Sequence, residues 1–325
     1  MKNSKGILTG FAATLWMFMG PDVMGQGSLT PPGAPGETMH TLEEVYERTD
    51  PRTPISSLPY TISEPGSYYV TGNLSSTGDG IIIESSGVTV DLMGFSLTGD
   101  GTSLTIPPDY DYGIQVKGST NAVIDRVVIK GGSISGFYDG LRCKYMNHSR
   151  IEQMVVSGNT DDGVYLFGTD GQCNGNTITD CTISDNGDKG VYLNGEFGQC
   201  NGNTIADCTI SGNEKYGVSL YGYNGQCDGN TIQGNRIMGN EYRGITFSYC
   251  DGNRVEANHV WGTGTGIRTH GNGAGKGNFI LKNTCMGNGT NYDLDAADTY
   301  GPEVTSSGAL SWTGNEAHPW ANFSR

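Results

Sequence analysis

Short apolar runs with a strict in–out alternation recur along this chain at a nearly constant spacing. Three segments almost superimpose: GVYLFGTDGQCNGNTITDCTISDN from Gly163, GVYLNGEFGQCNGNTIADCTISGN from Gly190, and GVSLYGYNGQCDGNTIQGNRIMGN from Gly217. Weaker copies begin at Gly80, Gly113, Gly140, Gly244 and Gly266. The steps between these glycines are 33, 27, 23, 27, 27, 27 and 22 residues, the first lengthened by an insertion around Ile106–Asp111. Internal periods of this size point to a solenoid. Within the Gly163 copy, Val164 and Leu166 point inward and Tyr165 outward, followed by one inward isoleucine in each of two further strands, Ile178 and Ile183. Three short strands separated by sharp turns return the chain above its own start, so each coil adds one strand, ~4.8 Å away, to each of three parallel sheets. The expected fold is an all-β, right-handed, three-sheet parallel β-helix of roughly nine coils, about 40 Å long. Coils of mostly 22–27 residues span positions 60–301.

The turns carry their own pattern. Asn186, Asn213 and Asn240 share one repeat position, and Asn235, Asn258 and Asn283 another. Asparagine tolerates left-handed backbone and can bond its equivalents in adjacent coils, so such columns are expected at solenoid corners. The LxxLxL spacing of leucine-rich repeats and the GGxGxD of calcium-binding rolls are missing. A solenoid needs covered ends. Thr41–Arg48 (TLEEVYER) reads as a short helical cap, in a Pro/Gly-rich segment spanning 26–59, and Trp312, Trp320 and Phe323 read as a plug in a tail spanning 302–325.

Composition agrees with the repeat: 52 glycines and only 35% hydrophobic residues suit an array better than one compact core. Lys2 and Lys5 precede an apolar stretch from Ile7 to Met19, and Val23-Met24-Gly25 offers a cleavage site, so 1–25 reads as a signal peptide. A membrane anchor is the competing reading, but this stretch is shorter than the ~20 residues needed to span. Export implies a secreted, extracellular or cell-surface protein. Removing the leader takes the formal charge from −15 to −16, which disfavours nucleic acid and anionic membranes as partners. Among eight cysteines, Cys173, Cys200, Cys227 and Cys250 share one position and Cys181 and Cys208 another. Stacked neighbours at ~4.8 Å permit disulfides 173–200, 227–250 and 181–208, but parallel coil-to-coil geometry rarely suits the required dihedral, and the other arrangement is a ladder of small buried thiols.

Chemistry in such a fold lies on the outward face of one sheet, where successive coils place residues side by side. The positions at and just before the aligned glycines, with the outward strand position, form a stripe containing Tyr138, Asp139, Arg142, Asp161, Asp162, Tyr165, Asp188, Lys189, Tyr192, Lys215, Tyr216 and Arg243. Aromatic faces stack on pyranose rings, carboxylates accept from hydroxyls, and cations hold uronates, so polysaccharide or a cell-envelope glycan is the expected partner. Asp139, Asp161, Asp162 and Lys189 are the candidate catalytic groups, since crowded carboxylates separate into an acid and a base and neighbouring coils can supply the ~5–9.5 Å spacing of glycosidase pairs. Tyr138, Arg142, Tyr165, Asp188, Tyr192, Lys215, Tyr216 and Arg243 are the candidate substrate contacts, and Asp139, Asp161 and Asp162 a candidate Ca²⁺ site. The competing reading is structural: Asp-Gly and Tyr-Gly are turn dipeptides that every coil needs.

These repeats resemble the pectin-lyase-like superfold of polygalacturonases, pectate lyases and alginate epimerases. The segments PPGAPGETMHTLEEVYERTDPRTPI, GSYYVTGNL, GVTVDLMGFSLTG and PWANF more closely resemble secreted bacterial β-helix proteins of unassigned activity. The resemblance implies the fold and export. Asp139-Gly140 and Asp161-Asp162-Gly163 resemble two polygalacturonase motifs, but Phe137-Tyr138 replace an Asn-Thr, Asp188-Lys189-Gly190 stands in place of Gly-His-Gly, and no Arg-Ile-Lys follows. A DPH motif of the alginate-epimerase type is absent. Two functions follow: a non-catalytic solenoid that binds polysaccharide or builds an envelope layer, and a uronate lyase or glycoside hydrolase using the Asp/Lys/Arg stripe.

Overall fold

Alternation in the repeat becomes stacked strands in the computed structural model, which describes residues 51–101, 110–269, 277–305 and 318–325. The chain divides into two compact units, 1–51 and 52–325. The leader, the expected helix Thr41–Arg48 and Trp312 lie outside the described residues. Every strand pairing between the described strands is parallel. One sheet has ten strands in sequence order, from Tyr60–Ile62 to Thr290–Asp293, and its members Asp139–Lys144, Val164–Phe167, Lys189–Asn194, Tyr216–Tyr221 and Arg243–Ser248 hold the candidate stripe. Pairing is in register, Tyr165 beside Tyr192 and Lys189 beside Tyr216.

The remaining coil faces carry two rows of strands that join into one twenty-stranded sheet. They join because Val128–Ser135 and Arg150–Ser157 run unbroken through a corner, each pairing with one strand in either row. The bend inside them is made by one left-handed residue, Gly131 (φ 70°) or Gln153 (φ 55°). In the next coils Asp180 and Asp207 take the same conformation at the same place, and there the strand divides. A third, two-stranded patch pairs Ile124–Asp125 with Met146–Asn147.

The core is the expected set of columns. Val164, Leu166, Ile178 and Ile183 are all within 1% of complete burial, and Ile205, Ile210, Ile232 and Ile237 continue the two isoleucine columns. The asparagine columns also form: Asn213 accepts from Asn186 Nδ2 at 2.9 Å, and Asn258 from Asn235 Nδ2 at 2.9 Å. The left-handed residue, however, precedes the asparagine. Asp185, Gly212 and Gly239 carry the positive φ at this corner, freeing the following asparagine side chain to turn into the coil interior and satisfy backbone groups there. A third ladder, Asn176–Asn203–Asn230–Asn253–Asn278, was not read from the sequence although a Gly-Asn dipeptide recurs at each of its positions.

The aligned glycines have a packing reason. A Cβ on Gly190 would sit 2.7 Å from the Gly217 carbonyl oxygen and 2.6 Å from Ile210 Cγ2. Gly190→Ala should therefore cost about 1–3 kcal/mol through overpacking, read as a lowered thermal midpoint; an unchanged midpoint would show that the neighbouring coil yields freely. At the C-terminal end, Asn322–Ser324 adds a parallel strand to Thr284–Met286, and Asn322 Oδ1 accepts from Asn283 N at 2.9 Å. Trp320 does not plug the end; it lies 54% exposed, because the strand continues the asparagine ladder and turns the tryptophan outward. All eight cysteines are buried free thiols, the second of the two arrangements that the spacing allowed.

Candidate functional site

Three of the eight aligned glycines follow an aspartate, Asp79, Asp139 or Asp162, which sits at or just before a strand start with its carboxylate level with the first amide of the next coil. Asp79 Oδ1 accepts from Tyr112 N at 3.0 Å, Asp139 Oδ1 from Asp162 N at 3.1 Å, and Asp162 Oδ1 from Lys189 N at 3.0 Å. These are turn caps, and those at Asp139 and Asp162 are sealed, with 0% and 1% exposure. Each also holds one cation: Arg142 Nη1 donates to Asp139 Oδ2 at 2.8 Å, and Lys189 Nζ to Asp162 Oδ1 at 3.3 Å. Lys189 Nζ reaches Asp188 Oδ2 at 2.8 Å, and Lys215 Nζ reaches the same oxygen at 3.3 Å. Asp188 Oδ1 is buried with no hydrogen-bond partner.

Rings line the cations. The Arg142 guanidinium lies 4.8 Å from the Tyr112 ring centroid, 4.9 Å from Tyr165 and 4.6 Å from Phe167. Lys189 Nζ sits 4.3 Å over Tyr192, and Arg243 5.3 Å over Tyr216. Tyr165 and Tyr192 stack at 4.8 Å with planes 9° apart, and Tyr138 stacks on Tyr110 at 4.1 Å. The structure thus brings the predicted stripe together as one band from Tyr112 to Arg243. Tyr110 and Phe167 were not singled out in the sequence, since neither falls in the columns beside the glycine.

Electrostatics follows from burial. Desolvation lifts the Asp139 carboxyl to about 6 against the opposing pull of Arg142. Asp162 is raised well above its ordinary value, again by desolvation, with Lys189 opposing. Burial pushes the phenols of Tyr112 and Tyr165 up to about 12. For Lys189 burial works downward, but Asp162 and Asp188 outweigh it and raise the ammonium.

Carboxylate oxygens of Asp139, Asp161 and Asp162 lie within 4.8 Å of one another, the one such grouping of metal-ligating side chains among the described residues. As hard oxygen donors they suit Ca²⁺ in type. Two of the three, however, already have a cation and a backbone amide on them and form the wall behind the stripe. As a candidate acid and base they lack an open face toward a glycosidic oxygen. Asp161, Lys215 and the rings form the reachable surface, while the Asp188 side chain is only 13% exposed.

A second polar surface was missed. The three Gly-Gln-Cys loops stack so that Gln172 bridges to Gln199 and Gln199 to Gln226. They line a cavity of about 420 Å³ with Asp170, Phe197 and Asn224. Its sequence signal was the threefold GQC, read only for its cysteines.

Residues 73–308 match the model of a family described as periplasmic copper-binding protein (NosD). No curated protein matches the chain. Among solved structures, the Dettilon tailspike protein matches with a TM-score of 0.52 at 16% identity, over 84% of this chain and 61% of that one. The enzymatically active domain of bacteriophage CBA120 tailspike protein 2 matches with a TM-score of 0.57 at 17% identity, over 78% of this chain and 43% of that one. The chain therefore spans less than two thirds of these tailspikes, and the likeness is one of fold. No helix among the described residues is long and apolar enough to cross a membrane.

Proposed function

This chain belongs to the NosD family, and from that premise we propose that it is a non-catalytic β-helix of the periplasm or cell exterior that binds a glycan along its ring- and cation-lined sheet. The observation that carries the proposal is the use made of the carboxylates: Asp139 and Asp162 are buried and spent on the amides of Asp162 and Lys189 and on two cations. A hydrolase or lyase needs an acid and a base facing its substrate. What faces outward instead is Tyr138, Arg142, Tyr165, Lys189, Tyr192, Lys215, Tyr216 and Arg243, repeated coil upon coil, which suits an extended sugar chain. The cations favour a uronate-bearing chain over a neutral one, and Asp161 suits the sugar hydroxyls.

The test incubates the protein with pectate, alginate and neutral glycans, with and without Ca²⁺, and reads both binding and cleavage. Binding without new reducing ends or unsaturated-uronate absorbance is expected. Tyr192→Ala and Lys215→Ala should each weaken binding by about tenfold, or ~1.4 kcal/mol. Cleavage that disappears in Asp161→Ala would establish the enzymatic reading instead.

A further inference from the structure

Each of the three near-identical coils leaves the ten-stranded sheet through a loop of the same length: Gly168–Gln172, Gly195–Gln199 and Gly222–Gln226. The loops stack on one another. Gln199 N donates to Gly171 O at 2.9 Å and Gln226 N to Gly198 O at 2.8 Å. A Cβ on Gly198 or Gly225 would overlap a carbonyl of the loop before it. The floor of the cavity beneath Phe197 is therefore closely packed backbone, arranged before any ligand arrives.

On that floor the glutamine side chains form a row, one per coil, ~4.8 Å apart. Asn174 Oδ1 accepts from Asn201 N at 2.7 Å, so its Nδ2 is the end that reaches Gln199 Oε1, at 3.4 Å. Asn201 repeats this one coil on, with Oδ1 on Asp228 N at 2.8 Å and Nδ2 donating to Gln226 Oε1 at 3.2 Å. The glutamine amides are thereby oriented, and the Nε2 donors of Gln199 and Gln226 have no protein partner among the described residues. Gln226 is exposed and Gln199 half-buried.

The loop tips differ. Asp170, Phe197 and Asn224 share one position, all with left-handed backbone (φ 61°, 52° and 51°). Aspartate and asparagine tolerate that conformation, whereas phenylalanine is strained in it. Phe197 is also 53% exposed, so neither backbone preference nor core packing accounts for it. Its ring meets that of Tyr223 at 6.2 Å, and Tyr223 in turn meets Tyr249 at 5.0 Å and Tyr221 at 6.3 Å. A cluster of four rings thus stands beside a row of oriented amides.

We propose that these loops form a second saccharide site, selective for a neutral polysaccharide. Amides both donate to and accept from hydroxyls, and ring faces cover the apolar faces of pyranoses. An extended polymer repeats its hydroxyls along its length, as the stacked loops repeat their amides. Charge sets the selectivity. Asp170 lines the cavity, Glu196 adjoins Phe197, and no lysine or arginine is among the lining residues. A uronate there meets carboxylates instead of counter-ions. The stripe is the reverse, since its rings carry Arg142, Lys189 and Arg243. The loop site uses other side chains and does not depend on the stripe.

The chain supplies the control substitutions. Phe197→Asn takes the residue of the next loop and relieves the left-handed phenylalanine, and Tyr223→Thr takes that of Thr169. The double variant should fold with an unchanged or raised melting temperature. Binding would be measured by affinity electrophoresis through galactomannan, hydroxyethylcellulose, laminarin and soluble starch, with alginate as the charged comparison. Retardation by at least one neutral polymer is expected, little changed by added salt. The Phe197→Asn/Tyr223→Thr variant should bind that polymer about thirtyfold more weakly, as on loss of ring anchors, while migrating in alginate as the parent does. No retardation by any of the neutral polymers overturns the proposal. So does retardation that the double variant retains in full, or that Lys215→Ala abolishes.

Discussion

Replacing Asn203 by alanine is expected to destabilise the β-helix by about 3–5 kcal/mol, among the largest effects of any single side chain in it. Asn203 is 1% exposed and sits in the middle of a ladder. Its Oδ1 accepts from Asn176 N at 2.8 Å and from Asn176 Nδ2 at 3.0 Å, and its own Nδ2 donates to Cys173 O at 3.0 Å. Alanine strands a buried amide and removes the donor from a buried carbonyl, each worth ~1–3 kcal/mol, at a site closed to bulk solvent. Asn176 Nδ2 keeps Met146 O at 2.7 Å, which limits the damage. Two residues away, Asn201 offers the matching comparison. Its Oδ1 also accepts a backbone amide, Asp228 N at 2.8 Å, but the residue is half-exposed. Water can replace that bond, so Asn201→Ala should cost only about 1 kcal/mol. Urea midpoints of the two variants decide the matter: equal shifts would mean that ladder position and burial do not control the cost.

The second large effect concerns Asp139. Asp139→Ala should cost about 3–5 kcal/mol, because it leaves the Arg142 guanidinium largely buried among rings without a counter-charge and strips Asp162 N of its acceptor. Asp139→Asn keeps the acceptor and should cost less. The carboxyl also gives a signed pH dependence. Burial raises its folded-state value to about 6 from its ordinary value of 3.8. Between these values the folded state binds a proton that the unfolded chain does not. The contribution is therefore complete below about 3.8 and lost as pH rises through about 6. Wild-type protein should have a higher urea midpoint at pH 5 than at pH 7.5, and Asp139→Asn should show less of this rise. A variant with the full wild-type slope would assign the effect to other groups.

Much of this architecture is legible in the sequence because its determinants are local and repeated. Inward Val164, Leu166, Ile178 and Ile183 follow from alternation, and the eight aligned glycines announce the coil length, for which a close carbonyl above each is the physical reason. The candidate stripe was also legible, as every residue named in it lies in one band. Less was legible where a residue's role depends on the coil above. Asp139-Gly140 and Asp162-Gly163 read as turn dipeptides or as a catalytic pair, and neither reading placed the carboxylates in the interior. Arg142 and Lys189, arriving from the same and the following strand, close over them and make them caps. At the corners, asparagine invited a left-handed assignment, whereas Asp185 and Gly212 take that conformation and the asparagine turns inward.

The sequence by itself determined the repeat, the inward columns, the parallel stacking and the band of rings and charges, because period-2 alternation and a constant coil length depend on nothing beyond the chain's own order. Only the tertiary structure decided which carboxylates are sealed, that all eight cysteines are buried free thiols, that two rows of strands share one sheet, and that Phe197, Tyr223 and Tyr249 are neighbours. Those are properties of contacts between coils, across ~4.8 Å of space but some 23–27 residues of chain. At that distance in sequence, side-chain size and burial in the next coil outweigh any local preference.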